Sequence, residues 1–578
     1  MLSLRKLFVT LPLILSFVTP LIAPLITSQP SFAQSNSQGK SKTTPRPKLL
    51  LVIVFDQFRA DYLSRFEKLF LPANHNGQVG GFKYLMDTGA YYPDGEYDIL
   101  ESMTGPGHAT ILTGAYPYLN GIVTNNWFDQ QTQKQLYCAE DPKYSTVGFP
   151  TEEHVGTSPN NMISSTVGDE LKNAGFPSHV VSLALKDRAA ILMGGHRPDL
   201  AMWFDGAARQ WTSSDFYLPS KKLPDWMLEL NAGVKKSEGA TIQWEKQQDS
   251  SENGSKKNNA EIKQNKTGMA WDESIPANIL TDPVKTGSHA SYGMSYGSQL
   301  TEQAFEKAFD HYQMGQQRGA DTATDLFAVS FSSHDIAGHA FGPNSREMEL
   351  MTQSEDRVLS QLLNFVKKRV PLKDVTIVLT GDHGIPPNPK WLATHGFGAG
   401  QIGDGKNLVP EITKALDEKF GKPKTPWFGF VQELSYFLSS GALQETKAPL
   451  AEVEALAKNV LLAQKGVAFV FTSSEYAARK LPPGMHERQI LHTYYPGRSA
   501  NITIIPQPFY VASNSTADHM TGYSYDRTVP VILAGFGIKP GRYSSKANVI
   551  DIAPTLTFLS GVVAPSLSEG RVLSEALK

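Results

Sequence analysis

Three stretches of the chain share one pattern, an unbroken apolar run that ends in polar residues and an acid. They are residues 48–56 (KLLLVIVFD), 324–335 (TDLFAVSFSSHD) and 374–384 (DVTIVLTGDHG). A run without alternation suits a strand buried on both faces, as in the interior of a parallel sheet. Residues 178–185 (SHVVSLAL) and 529–534 are shorter runs of the same kind. Between them the apolar spacing changes to three and four, which predicts helices over 58–70, 163–173, 298–312, 346–369 and 552–559. For 163–173, Ser158 or Asn160 is placed to cap the start and Gly175 to end it. The 346–369 helix carries Lys367, Lys368 and Arg369 in its last turn, where cations suit the helix dipole. Strands alternating with helices predict an α/β fold with a mostly parallel central sheet and helices on both faces.

Two segments break this rhythm. From about 190 to 300 the pattern loosens and includes 250–266 (SSENGSKKNNAEIKQNK), a polar stretch expected to be a surface loop or disordered. Residues 400–515 read as a second insertion, with its own helix over 449–463 and strand over 467–471, expected to cover or wall a site. At the N-terminus Arg5 and Lys6 precede an apolar run from about 7 to 26, and Ser31-Phe32-Ala33 offers a small-x-small cleavage site. Residues 1–33 are therefore expected to be a signal peptide and 34–47 a polar linker, with 48–578 as one domain carrying both insertions. Pro12, Pro20 and Pro24 argue against keeping the leader as a membrane anchor, so the mature protein is expected in the periplasm or outside the cell.

Composition narrows the function classes. The 578 residues carry a formal net charge of −2 and no basic block, which argues against a nucleic-acid-binding surface. Cys138 is the single cysteine, so an exported chain has no internal disulfide and must rely on core size and bound metal. Cys138 itself is expected to be an inert packed thiol.

The candidate chemistry lies at the strand ends, where open α/β sheets gather ligands. Asp56 ends the first run. Asp335 and His339 stand four apart, with Gly338 read as allowing a tight turn, and Asp382 and His383 end the third run. His519 lies in a polar loop before the 529–534 strand. Thr104 opens Thr104-Gly105-Pro106-Gly107-His108, a hydroxyl followed by a Gly/Pro-rich turn and a small apolar run suited to open a helix. Such a turn would expose the hydroxyl, with free backbone N–H groups to meet an anion. Asn125 reads as a turn former whose amide could also donate to a phosphoryl oxygen. Lys186 and Arg188, two apart after a strand, can point to one side and clamp a dianion, Arg188 as a fork and Lys186 as a point charge.

Mixed carboxylate and imidazole donors suit zinc better than calcium, which prefers oxygen. Asp56, Asp335, His339, Asp382, His383 and His519 are too many for one tetrahedral ion and right for two Zn2+, each with an open position. Two such ions steady the attacking and leaving oxygens of an in-line displacement. The expected reaction is phosphoryl transfer to Thr104, followed by hydrolysis of the phosphothreonine by hydroxide held on a metal.

The order Asp56, Thr104-x-Pro106-x-His108, Asp335-x-x-x-His339, Asp382-His383 and a late His519 resembles the alkaline phosphatase superfamily. Within it the chain is similar to the type I phosphodiesterase/nucleotide pyrophosphatase group, and most to the alkaline phosphatases with a threonine nucleophile. The resemblance implies an alkaline phosphatase-like fold with inserted cap segments. It implies that Asp56, Asp382, His383 and Thr104 hold one zinc, and that Asp335, His339 and His519 hold another facing the leaving group. Asn125 would contact a phosphoryl oxygen. Lys186 and Arg188 match the pair of the threonine-type monoesterases, absent from the diesterases, which favours small phosphate monoesters as substrates and inorganic phosphate as product. His395, in ATHGFG, competes with His519 as the last ligand, and His108 is read as structural. The rivals are a phosphodiesterase on the same two-metal site and a non-catalytic periplasmic metal- or phosphate-binding protein, for which Thr104 would have no use. A sulfatase is disfavoured because the nucleophile region has no Cys-x-Pro-x-Arg.

Overall fold

Leu49–Phe55 runs through the interior of a sheet that has ten strands among the described residues, parallel to Asp325–Phe331 on one side and to Val375–Gly381 on the other. Val180–Ala184 and Leu200–Asp205 extend the parallel order beyond Asp325–Phe331. On the opposite side Thr528–Gly535 joins antiparallel, followed by Ala90–Glu96. Both faces are covered. Leu49, Leu51, Ile53 and Phe55 pack with Phe82, Phe305 and Leu362 on one side. Leu50, Val52 and Val54 pack with Ile111, Val167 and Leu556 on the other. That double burial is the physical reason the runs do not alternate. The fold is thus α/β, with a mostly parallel central sheet between two layers of helices.

The structure, a computed structural model, describes residues 45–130, 132–148, 155–237, 295–316, 323–403, 405–481, 483–512 and 516–578. The expected signal peptide, most of the linker and the polar 250–266 segment lie outside the described residues. No helix among the described residues is long and apolar enough to cross a membrane.

Several elements differ from the sequence reading in instructive ways. Leu200–Asp205 and Gln210–Thr212 fall within the supposed first insertion yet are strands of the main sheet, so the core reaches further into 190–300 than the pattern indicated. The 58–70 helix is a short helix, Asp61–Arg65, and a 3-10 turn, Glu67–Leu69. The helix expected from 163 starts at Val167, because Thr166 and Asp169 form a reciprocal capping box. Ser158 and Asn160 instead each donate to Asp141 Oδ2 at 2.7 Å. The long Arg346–Arg369 helix has the bounds the spacing predicts, with the Ser345 hydroxyl accepting from Met348 N at its start.

Within 400–515, Phe428–Gln432, Ser435–Leu438, Ile502–Pro506 and Val467–Thr472 form a separate four-stranded antiparallel sheet. It has its own core, with Ile412, Trp427, Tyr436, Leu461 and Val470. Arg498 ties it to Gly121 O and Asn161 O, and a second set of attachments falls on residues 98–101, just before Thr104. Arg488 pairs with Asp98 through two nitrogens, His492 Nδ1 donates to Asp98 O at 2.8 Å, and Ser435 Oγ donates to Glu101 Oε1 at 2.8 Å.

Candidate active site

Thr104 is the first residue of a buried helix, Thr104–Thr113, and is 2% exposed. The Gly/Pro-rich stretch is therefore the helix's first turn rather than an open turn. Pro106 is tolerated there because its missing N–H would have no intrahelical partner. Gly107 is required by closeness: a Cβ on it would lie 2.4 Å from Asp382 O and 2.8 Å from Asp382 Cβ. The helix thus sits directly on the end of the Val375–Gly381 strand.

The expectation of free backbone N–H groups beside Thr104 needs correction. Gly105 N donates to Asn125 Oδ1 at 2.8 Å, Pro106 has no N–H, and Gly107 N donates to Met103 O at 2.9 Å. The groups facing the hydroxyl are side chains instead. Lys186 Nζ is 3.4 Å and Arg188 Nη2 3.3 Å from Thr104 Oγ1. Lys186 caps, and Arg188 belongs to, the Asp187–Gly194 helix that follows the Val180–Ala184 strand. Asn125 spends its oxygen on Gly105, so its amide nitrogen is the part left to donate.

Lys186 Nζ also lies 2.5 Å from Asp335 Oδ2 and 2.7 Å from Asp56 Oδ2. It therefore joins strand ends that are far apart in sequence. Burial works against its charge, but Asp335 and Asp56 outweigh burial and raise its pKa, so it stays an ammonium. Burial also opposes ionisation of Asp335, yet Lys186 and His339 beside it hold its carboxyl well below the usual range. Asp56 behaves oppositely: burial first, and the neighbouring Asp382 charge second, push it well above that range.

The three histidines face the carboxylates in one common way. His383 Nδ1 donates to Gly384 O at 3.0 Å, His519 Nδ1 to Ser102 O at 2.6 Å, and His339 Nδ1 to Ala517 O at 3.1 Å. A carbonyl oxygen only accepts, so each Nδ1 carries the proton and each Nε2 offers its lone pair in the neutral ring. His383 Nε2 is 3.5 Å from Asp56 Oδ1 and 3.4 Å from Asp382 Oδ2. From Asp335 Oδ1, His339 Nε2 is 3.2 Å and His519 Nε2 3.9 Å away. Burial opposes a charged His339, but Asp335 next to it pushes its pKa up to about 9, so a cation binding Nε2 would displace a proton.

These donors fit divalent cations. Asp56 Oδ1 and His383 Nε2, 3.5 Å apart, are buried with no hydrogen-bond partner, and unpaired buried polar atoms of this kind are costly. Ligand atoms fall within 4.8 Å of one another in three groups: Asp335, His383 and His519; His339, Asp518 and His519; and Asp56, His108 and Asp382. The first two groups share His519, and His383 Nε2, close to both Asp56 and Asp382, joins the third to them in one continuous cluster.

Asp335 and His339 sit one turn apart on the Ser333–Phe341 helix, and Gly338 between them is helical, not a turn. His395 is exposed, packs on Trp391 at 4.2 Å and stands outside the three groups, whereas His519 is inside two of them. His108 is buried, with Nδ1 2.9 Å from Thr104 O and 3.1 Å from Asp382 Oδ2, and Nε2 2.8 Å from Ser330 Oγ. Cys138 is buried, and burial pushes its thiol up to about 12. Two residues of the cluster escaped the sequence reading. Asp518 forms with His519 the same Asp-His dipeptide as Asp382-His383, and in both the His N–H donates to the preceding carboxylate, at 3.0 and 2.9 Å. Gln57 carried no pattern at all.

Residues 50–519 match the family described as type I phosphodiesterase / nucleotide pyrophosphatase. The chain is 30% identical to alkaline phosphatase PafA of Elizabethkingia meningoseptica, over 93% of this chain and 96% of that protein. It is also 30% identical to alkaline phosphatase PhoV of Synechococcus elongatus, over 93% and 94% respectively. The solved structure of wild-type alkaline phosphatase PafA superposes with a TM-score of 0.81 at 29% identity, covering 93% of this chain and all of that one. With the fold, the strand-end cluster and these matches agreeing, this chain belongs to the type I phosphodiesterase / nucleotide pyrophosphatase family and has the alkaline phosphatase-like fold.

Proposed function

We propose that this protein hydrolyses phosphate monoesters, with Thr104 as nucleophile and two zinc ions held by Asp56, Asp382, His383 and Thr104 on one side and Asp335, His339 and His519 on the other. The observation that carries the reading is the position of Thr104 Oγ1 between Lys186 Nζ and Arg188 Nη2, at 3.4 and 3.3 Å, beside a cluster of buried carboxylates and imidazoles. The alkaline phosphatases PafA and PhoV, similar over nearly the whole chain, support it. Bound ions would supply charge stabilisation for the attacking and leaving oxygens. The mix of three imidazoles with carboxylates favours zinc over calcium.

The remaining work falls to the chain's own side chains. Thr104 Oγ1 forms a bond to phosphorus as the ester P–O bond breaks, and the proton it loses ends on the departing oxygen, so that the alcohol is released. Water then attacks the phosphothreonine, the Thr104 Oγ1–P bond breaks, one proton of the water returns to Thr104 Oγ1, and inorganic phosphate leaves. Arg188 and Lys186 hold two oxygens of the dianion, and the Asn125 amide nitrogen donates to another. His108 holds the Thr104 carbonyl against Asp382, which keeps the hydroxyl in place. Residues 1–33 serve as a cleaved export signal, the protein works in the periplasm or outside the cell, and the inserted 400–515 sheet walls the approach to Thr104.

A diesterase on the same site is the second reading, suggested by the family description itself. Lys186 and Arg188 argue against it, because a dianionic monoester gains more from two cations than a monoanionic diester. The deciding experiment assays the purified protein on an aryl phosphate and on its bis-aryl ester, with bound metal counted. Faster turnover of the monoester with two zinc ions per chain supports the proposal; preference for the diester overturns it.

A further inference from the structure

Gln57 follows Asp56 at the end of the first strand and holds an uncommon conformation. Its φ is +65°, in the left-handed region that side chains other than glycine adopt at a cost. It is fully buried. Its backbone N–H donates to Asp382 Oδ1 at 2.9 Å, and its side-chain Nε2 donates to Asp335 Oδ1 at 2.6 Å. One residue therefore grips a carboxylate from each half of the cluster. Gly338 completes the arrangement: a Cβ there would lie 1.7 Å from Gln57 Oε1, so this helical position is glycine where the amide needs its room. Glycine weakens a helix interior, and the left-handed φ strains the strand end. Both costs are spent at one contact.

We propose that Gln57, seated against Gly338, is the positioning residue that sets the separation and relative affinity of the two metal positions. The proposal rests on the two-metal reading above. The backbone N–H orients Asp382 on the nucleophile side, and the amide orients Asp335 on the leaving-group side. Because both donors belong to one residue, the carboxylates cannot drift independently.

The geometry supplies its own controls. Gln57→Gly removes the side chain with its amide but not the backbone contact, since glycine accepts the positive φ and keeps the N–H that binds Asp382. Gly338→Ala keeps the glutamine but forces its amide off Asp335. Zinc affinity is measured by competition with a chromophoric chelator, and the cobalt(II)-loaded protein is examined for the spectroscopic signature of a coupled ion pair. Wild type is expected to hold two ions. Gln57→Gly should weaken one of them roughly 10–100-fold, the range for lost hydrogen bonds to metal ligands, while the other is unchanged. Gly338→Ala should do the same, the coupled signature should be lost in both, and combining the two substitutions should add nothing. Two ions bound at wild-type affinity with an unaltered signature in Gln57→Gly would overturn the proposal, as would fully additive losses in the double variant. A wild type that binds no ion pair would instead overturn the two-metal reading beneath it.

Discussion

Lys186 Nζ lies 2.5 Å from Asp335 Oδ2, bringing a cation from the helix after one strand to a carboxylate on the helix after another. The same ammonium is 3.4 Å from Thr104 Oγ1, with Arg188 Nη2 at 3.3 Å. Replacing Arg188 with Ala should therefore cut kcat/KM for an aryl phosphate by roughly 10²-fold or more, the scale for removing one donor to a developing anion. Turnover of the bis-ester, with one negative charge fewer, should fall much less. Steady-state kinetics on both substrates checks this, and equal losses would remove the reason for preferring monoesters.

Metal removal gives a second prediction. Exhaustive chelation should abolish turnover, zinc should restore it, and melting temperature should drop on removal, because buried carboxylates then face one another with Lys186 as their nearest full positive charge. Calorimetry with and without chelator measures the shift. Unchanged melting and activity in a demonstrably metal-free protein would contradict the metal assignment.

Gly107 predicts a packing effect. Gly107→Ala would drive a methyl group to within 2.4 Å of Asp382 O. Backbone must move to relieve it, at about 1–3 kcal/mol of stability for overpacking. Denaturant unfolding of the variant reads the loss, and activity should fall with it because the same shift moves Thr104 relative to Asp382.

Glu101 predicts a pH effect on stability. Burial pushes its carboxyl up to about 7, with the Ser435 hydroxyl acting weakly in the opposite direction. An unfolded glutamate titrates near ~4.3. Below that value the group is protonated in both states and costs nothing. Between ~4.3 and about 7 the unfolded chain releases its proton first, so rising pH favours unfolding, and above about 7 the penalty is constant. Glu101→Gln should then gain thermal stability over wild type as pH rises through this window and keep a fixed advantage beyond it. Melting temperatures of both proteins across the window test the sign; parallel profiles would contradict it.

Much of the frame was legible from local pattern, for reasons the structure makes plain. Strands buried on both faces read as unbroken apolar runs, and the Arg346–Arg369 helix declares itself through its amphipathic spacing and a basic last turn. Leu200–Asp205 was missed although it is as apolar as the others, because it stands among Gly, Pro and charged residues that signal loops. Thr166 was overlooked as a cap because its reciprocal partner is Asp169 rather than the more usual glutamate. Gly338 illustrates the limit of local reading. A glycine between two ligands suggests a turn, but its actual role is to make room for Gln57, which lies far away in sequence. Gln57 itself could not be read, because its partners are 278 and 325 residues distant. Asp518 was within reach, since it repeats the Asp-His dipeptide of 382–383.

The central claim is that Thr104 itself takes the phosphoryl group. The most direct measurement is acid quenching of the zinc-loaded protein during turnover of a phosphate monoester, followed by peptide mass spectrometry. The account predicts a phosphoryl adduct on Thr104 that is absent from Thr104→Ala, in which turnover nearly vanishes while zinc stays bound. Undiminished turnover in Thr104→Ala, or an adduct on a different residue, would contradict it.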